Sequence, residues 1–394
     1  MPDFDLAVIG AGAVGASAAY AAARSGKRVV VFEQFNVGHD RGSSHGESRI
    51  IRHSYTSAAY ASLAPDAFAA WRELERGSGE RLLTMTGGID IGHSEDRAMR
   101  ACKEALDKSG IGSVFLESVA AREAFPQFVL GESDAVLWQS GAGILHAGRC
   151  VRALVSQAVA NGAELRERTS VASLEPGPAV RVTFQRDGEE GYLTASAAVV
   201  AAGPWAGRFF ADLGLANELR VTHQQVAYYP LLDPEPWRAG RCPIYIAHGP
   251  DGFYGFPECE RPGFIKVAVE TELAIEDPDQ PPRAPDPETT ERLNELVATR
   301  LRGVRSTPES VVTCRYTETV DRDFIVDRHP AHPNVVVAAP CSGHGFKFSI
   351  LMGGLAQGLA TSPGERDLFA HWRERFSLEK ESETLQPLAR EWRK

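Results

Sequence analysis

Short unbroken apolar runs punctuate this chain, and the first two lie close together. Leu6-Ala7-Val8-Ile9 ends in glycines, passes into an Ala-rich stretch and is followed by Val29-Val30-Val31-Phe32. Runs of this kind are strands buried on both faces, so residues 5–33 are predicted to form one βαβ unit. Ala147 to Gly162 has the spacing of an amphipathic helix and leads into a strand pattern around Val171 to Phe184. A further buried strand, Ala197 to Ala202, ends in Gly203-Pro204-Trp205, a tight turn at a strand's carboxyl end, where ligands of α/β sheets bind. Alternation then takes over at Gln224 to Pro230, Tyr245 to Pro257 and Phe264 to Glu270, predicting an antiparallel sheet. A Pro- and acid-rich excursion, Glu276 to Glu288, precedes a helix. Finally Val335 to Ala339 is a buried strand, Cys341 to Phe348 a Gly-rich loop and Ile350 to Ala360 a helix, while Ile89 to Leu145 reads as short helical and irregular segments.

Composition narrows the classes. The length of 394 residues suits two or three domains, and 43% hydrophobic beside 24% charged residues is ordinary globular material. A formal charge of −10 repels phosphate backbones and anionic lipid, which argues against a nucleic-acid or membrane partner. Leu6 to Ala23 is uncharged for 18 residues but is built of Gly and Ala, and the leader Met1 to Asp5 lacks the positive charge of a signal peptide. The six cysteines include no C-x-x-C pair, so neither a zinc ribbon nor a disulfide framework is expected. The C-terminal run Glu391-Trp392-Arg393-Lys394 carries no retention or peroxisomal tripeptide, and the expected compartment is the cytoplasm.

Within the βαβ unit stands Gly10-x-Gly12-x-x-Gly15, with Glu33 at the end of the second strand. The glycines permit a tight turn, close backbone approach to a pyrophosphate and helix packing, and the carboxylate can accept ribose hydroxyls. Dinucleotide binding follows, without deciding between FAD and NAD. A Ser/Gly/Arg-rich loop, Arg41 to Arg49, contains Ser43 and Ser44 and is too polar for a core. Arg49 and Arg52 are spaced i, i+3, so on a helical turn they would share a face and clamp an anion; the alternative is a pair of solvated charges. Lys266 sits in Phe264-Ile265-Lys266-Val267-Ala268-Val269 and is either a buried cation or a residue on a strand face open to water. In Ser342-Gly343-His344-Gly345-Phe346-Lys347, loop amides and a helix N-terminus converge, with Lys347 a candidate anion contact and His344 a polar one.

Taken together, the fingerprint, the run Ser44 to His53 and the loop Cys341 to Ser349 resemble the monomeric sarcosine oxidase family, within the D-amino-acid-oxidase-like superfamily. Its members are FAD-dependent oxidases of N-methyl and cyclic secondary amino acids, and the resemblance runs from about residue 4 to 360. Cys314-Arg315-Tyr316-Thr317, Asp327-x-His329-Pro330 and the Gly343 loop are similar to the family's covalent-flavin signature, which implies a thioether from Cys314 to the flavin 8α carbon. The resemblance implies further that Arg52 and Lys347 grip the substrate carboxylate, that Arg49 lies over the flavin ring and that Lys266 promotes reaction of reduced flavin with O2. Tyr254 and Tyr316 would border the substrate, His344 would lie near the flavin, and Gly203, Gly343 and Gly345 would lie in cofactor-binding turns. Two positions depart from the family pattern: Glu270 stands where sarcosine-specific members carry His, and Tyr245 stands at a substrate-pocket position. Glu270 would either favour a substrate with a second amine or pair with an Arg.

The expected molecule is a monomer of α/β class. A discontinuous FAD-binding Rossmann-like domain (1–85, 147–220 and 313–394) would carry an inserted antiparallel substrate domain (86–146 and 221–312). The expected reaction oxidises a secondary amino acid to an imine with O2 as acceptor and needs no metal. The alternatives are a dehydrogenase of the same fold with another acceptor, or a non-catalytic FAD-binding subunit.

Overall fold

The computed structural model describes residues 1–216, 218–249, 252–259, 261–270, 276–361 and 375–379; the terminal Glu391–Lys394 and part of the expected 313–394 segment lie outside them. The first apolar runs form strand Phe4–Ile9, helix Ala13–Arg24 and strand Val29–Phe32. Phe4–Ile9 is central in an eight-stranded sheet, parallel to Val29–Phe32 on one side and to strand Glu189–Val200 on the other. Val335–Ala338 continues the parallel set beyond Glu189–Val200. Four carboxyl ends therefore open on one edge, delivering Gly10, Glu33, Gly203 and the Cys341–Gly345 loop to the same side.

Small residues let the layers approach. A Cβ built on Gly15 would lie 1.9 Å from the Gly10 carbonyl oxygen, and one on Gly353 2.4 Å from Ser17 Cβ. Helix Ser349–Thr361 thus packs directly against the Ala-rich helix Ala13–Arg24. Helix Ala58–Ser78, which the sequence reading did not single out, buries Trp71 and donates its indole N–H to the Lys347 carbonyl at 2.8 Å, tying the C-terminal loop down.

The second eight-stranded sheet runs in the order Ser310–Thr319, Leu219–Pro230, Phe264–Ala268, Phe253–Phe256, Ile244–Ala247, Gly88–His93, Asp134–Gln139, Val114–Glu117. Its middle is antiparallel, but Ile244–Ala247 pairs with Gly88–His93 in parallel. Two expectations are corrected here. The stretch from Ile89 to Leu145 carries strands as well as helices, because its short apolar runs find partners far along the chain. Strand Ser310–Thr319 pairs with Leu219–Pro230 along its whole length, so it runs across the expected boundary at 313. A third, three-stranded sheet joins Arg49–Ile51, Gly143–Leu145 and Leu83–Met85. Arg49 therefore lies on a strand and Arg52 just past its end, rather than both on a helical turn. No helix among the described residues is long and apolar enough to cross a membrane.

Gly15→Ala puts a methyl group into the contact between helix and strand. It is expected to lower unfolding stability by about 1–3 kcal/mol, the usual cost of overpacking, read from urea titration of the apoprotein; an unchanged midpoint would show that the two elements are looser than described.

Candidate active site

One cavity of about 750 Å³ is lined by all four carboxyl-end turns of the parallel set and by the second sheet. Gly10 carries φ +101° and a Cβ there would strike the Ala201 carbonyl at 2.6 Å, so the turn is open only to glycine. Glu33 is 4% exposed, and its carboxylate accepts the Ala11 amide at 3.0 Å through Oε2 and the Phe35 amide at 2.9 Å through Oε1. His39 Nε2 lies 3.4 Å from Oε1, and Oε2 keeps a second lone pair for a ribose hydroxyl. Ser44 Oγ accepts the Ala13 amide at the helix N-terminus at 3.0 Å, which leaves its own proton free to donate to a phosphate. Ser43, Gly203, Gly343 and Gly345 line the same cavity, and a Cβ on Gly345 would lie 1.6 Å from the Pro340 carbonyl oxygen.

Four cations border this space. The Arg49 guanidinium donates to the carbonyls of Ser48, Ser43 and His45 at 2.7–3.0 Å, so it holds the Ser/Gly loop in shape. Arg52 donates to the buried Asp90 carboxylate at 2.9 Å and lies 5.0 Å over the Tyr55 ring. Lys347, on the short helix Phe346–Phe348, donates to the Tyr55 hydroxyl at 2.8 Å and to the His344 carbonyl at 2.9 Å. Burial, and then the Arg52 charge, hold the Lys347 ammonium well below its ordinary range. Lys266 is 7% exposed; its Nζ donates to the Ser48 carbonyl at 3.1 Å and lies 4.6 Å over the Phe256 ring. Of the two readings of Lys266, the buried cation is the one found.

Neutral groups fill the remaining wall. Burial pushes the His344 imidazole down to about 3, with Lys347 adding to the effect; its Nε2 meets the Arg322 carbonyl at 3.2 Å. The Tyr254 and Tyr316 hydroxyls meet at 3.2 Å, and burial pushes Tyr254 up to about 12 and raises Tyr316 as well. Cys314 and Cys341 both line the cavity, and burial raises both thiols. Cys341 Sγ accepts the Thr317 amide at 3.4 Å, while Arg49 and Lys266 pull the Cys314 thiol in the opposite direction to its burial.

Tyr245 is the residue that the structure moves elsewhere. On strand Ile244–Ala247 successive side chains alternate, and Tyr245 turns into an aromatic core with Phe128, Trp237 and Phe253, fully buried and off the cavity. Its neighbour Ile246 lines the cavity instead. Glu270 lines the cavity too, paired with Arg322 at 2.5 Å. Of its two readings, the Arg partner is present.

Several polar residues went unnoticed in the sequence. Asp90 accepts from Arg52 and meets His248 Nε2 at 2.9 Å; its signal was the kind that marked Lys266, a charge inside an apolar alternation, Gly88-Ile89-Asp90-Ile91-Gly92. Asp90, Cys102 and His248 bring possible ligand atoms within 4.8 Å of one another, but the Arg52 charge bound to Asp90 opposes a cation there. Tyr60, Asp323 and Arg375 form a second network at the wall.

The arrangement fits FAD by its own chemistry. The glycine turns leave room for backbone approach to a pyrophosphate, Glu33 presents a free lone pair on Oε2, and the cavity lining carries buried polar atoms without hydrogen-bond partners among the described residues: His45 Nε2, Thr317 Oγ1, His344 Nδ1 and Ser349 Oγ. The chain matches the family profile "DAO: FAD dependent oxidoreductase" over residues 5–358. It is 31% identical over 380 residues to a peroxisomal sarcosine oxidase of Mus musculus, covering 95% of this chain and 96% of the relative. It is also 31% identical over 371 residues to a monomeric sarcosine oxidase of Streptomyces avermitilis, covering 91% and 94%. Among solved structures, the amino acid oxidase NikD in its open form superposes with a TM-score of 0.83 at 25% identity, covering 95% of this chain and 97% of that one. A profile spanning nearly the whole chain and a cavity cut for a dinucleotide lead to one conclusion: the protein is a member of the DAO family of FAD-dependent oxidoreductases.

Proposed function

We propose that the chain oxidises a secondary amino acid, N-methylated or cyclic, with sarcosine the simplest, to an imine, and that O2 is the final acceptor. The observation that carries this reading is the pair of cations at the cavity wall, half-buried Arg52 and buried Lys347, both against Tyr55. Relatives named as sarcosine oxidases in mouse and Streptomyces avermitilis, and an N-methyl-L-tryptophan oxidase of Yersinia pestis at 27% identity, support the substrate class.

Bound FAD supplies the acceptor for a hydride equivalent from the carbon next to the amine. Arg52 and Lys347 hold the substrate carboxylate, and the arriving anion favours the charged form of Lys347 that burial opposes. Asp90 orients the guanidinium of Arg52 from behind. Tyr254 and Tyr316 stay protonated and border the amine end, while Ile246 and Phe256 keep that end dry and favour the neutral amine. His344 stays neutral and adds no charge beside the cations. Lys266 supplies positive charge where O2 gains two electrons and two protons to leave as H2O2. Water then splits the imine into an amine and a carbonyl compound. Glu33, Ser43, Ser44, Gly203 and the Gly343–Gly345 loop hold the cofactor, and Arg49 braces the loop against it. Cys314 would hold it covalently by a thioether, the thiol and the flavin 8α carbon each giving up a hydrogen and O2 taking up the two electrons and two protons as H2O2. The relatives named monomeric support a monomer, and six cysteines outside disulfides suit a reducing cytoplasm.

Replacing Lys266 with Met should leave anaerobic bleaching by substrate largely intact and slow recolouring by air severely; equal slowing of both steps would remove Lys266 from the oxygen role. A wild-type protein that bleaches but is not recoloured by air would instead be a dehydrogenase. Acid precipitation should leave yellow colour in the pellet of the wild type and of Cys341→Ala, and release it to the supernatant in Cys314→Ala. Colour released from the wild type would contradict the covalent bond.

A further inference from the structure

Arg315 is a buried cation that stands behind the cavity wall rather than in it. On strand Ser310–Thr319 successive side chains alternate, so Cys314 and Tyr316 line the cavity while Arg315 between them turns the other way and is 2% exposed. Its Nε donates to Glu276 Oε2 at 2.6 Å. The same carboxylate meets His223 Nδ1 at 2.9 Å, and His223 is the residue opposite Arg315 on strand Leu219–Pro230. The rest of the guanidinium donates to backbone: Nη1 to the Pro278 and Arg41 carbonyls at 3.0 and 3.2 Å, and Nη2 to the Gln280 carbonyl at 2.6 Å. A buried pair of this kind adds little stability over apolar packing, and its partners show what it does instead.

Pro278 and Gln280 are the neighbours of Asp279, so Arg315 fixes the backbone on each side of that residue. Asp279 Oδ1 accepts the Trp205 indole N–H at 2.9 Å, and Oδ2 accepts from Arg208. Trp205 and Arg208 line the cavity beside Gly203, and the Trp205 ring centroid lies 5.6 Å from that of Phe35. The Phe35 amide is one of the two that hold the Glu33 carboxylate. On the other side, Arg41 begins the Ser/Gly loop, and its guanidinium lies 4.8 Å over the Phe35 ring. The contacts thus close a ring, from Arg315 through Asp279, Trp205, Phe35 and Arg41 back to Arg315. That ring joins the strand of Cys314 and Tyr316 to the turns that carry Glu33 and Gly203.

We propose that Arg315 and Asp279 are positioning residues for FAD: together they clasp Trp205 into the wall beside Glu33 and set that wall against the strand of Cys314 and Tyr316. Neither residue lines the cavity itself. Trp205 is a rigid aromatic plane with one N–H, and its orientation is decided by where that N–H finds an acceptor. Asp279 supplies the acceptor from outside the cavity. Without it the indole turns toward water, and the wall has to be ordered again whenever FAD enters, which weakens binding. The proposal rests on membership of the FAD-dependent family and stands apart from the oxidase reading.

The test is a double-mutant cycle on FAD affinity, read by quenching of flavin fluorescence in the full-length Cys314→Ala apoprotein, where no thioether contributes. Asp279→Ala and Trp205→Phe, which break the same contact from its two ends, should each raise the Kd for FAD about tenfold. The double variant should bind no more weakly than the weaker single one. Asp279→Asn keeps the acceptor for the indole and should stay within about twofold of the parent. Asp279 is half-exposed, so the urea midpoint of the Asp279→Ala apoprotein should not move. Arg315→Lys keeps the charge and loses the fork, and should weaken FAD binding as Asp279→Ala does; if it does not fold, the cycle at the other two positions decides alone. FAD held as tightly by Asp279→Ala as by the parent, additive losses in the double variant, or a urea midpoint that falls with the affinity would overturn the clasp. No substrate enters the measurement, so failure of the oxidase reading would show elsewhere, as flavin that substrate does not bleach.

Discussion

Positive charge held out of water is the constraint on which this structure turns. An ion buried without partners costs several kcal/mol, yet Arg49, Arg52, Lys266 and Lys347 border one cavity in a chain of net charge −10. Each is solvated by a different part of the protein. Arg49 is met by three carbonyls of the Ser/Gly loop, Lys266 by the Ser48 carbonyl and hydroxyl of the same loop, Arg52 by Asp90, and Lys347 by Tyr55 and the His344 carbonyl. The loop is long and polar because its backbone serves as the solvent for two of these cations. Only Arg52 has a carboxylate partner among the four bonding sets just named, so the centre as a whole is poised to receive an anion.

That poise links the two sheets. The parallel sheet delivers glycine turns and Glu33 to its carboxyl edge, while the second sheet brings Lys266, Tyr254, Tyr316 and Cys314 to face them. Neither contribution is a site alone. Four of the groups with displaced titration at the junction, His344 and His45 pushed down to about 3 and about 4 and Tyr254 and Tyr316 raised, are neutral near physiological pH. What the chain brings to the reaction is therefore orientation, dryness and fixed charge.

Much of this was legible where local chemistry is restrictive. Gly10, Gly12, Gly15 and Glu33 announce their turn because few other residues fit it, and Lys266 stands out as a charge in an apolar strand. Readings that depended on parity or distant pairing did worse. Tyr245 and Ile246 are adjacent, and which one faces the cavity depends on a strand phase that a run of Ile, Tyr, Ile and Ala does not encode. Arg49 and Arg52 have helical spacing, but Arg49 opens strand Arg49–Ile51, which pairs with Gly143–Leu145 nearly a hundred residues away, and Arg52 falls just past its end. Helix Ala58–Ser78 hid behind Pro65 in its interior, and Asp90 acquires meaning only once Arg52 is seen beside it.

The account stands or falls on whether the buried cations recognise a carboxylate. The direct measurement compares sarcosine with dimethylamine, the same secondary amine without its carboxylate, by following peroxide release and amine loss with the purified holoenzyme in air. The account predicts one peroxide released for each sarcosine consumed and a far lower kcat/KM for dimethylamine. Equal kcat/KM for the two amines, or sarcosine consumed without peroxide, would contradict it.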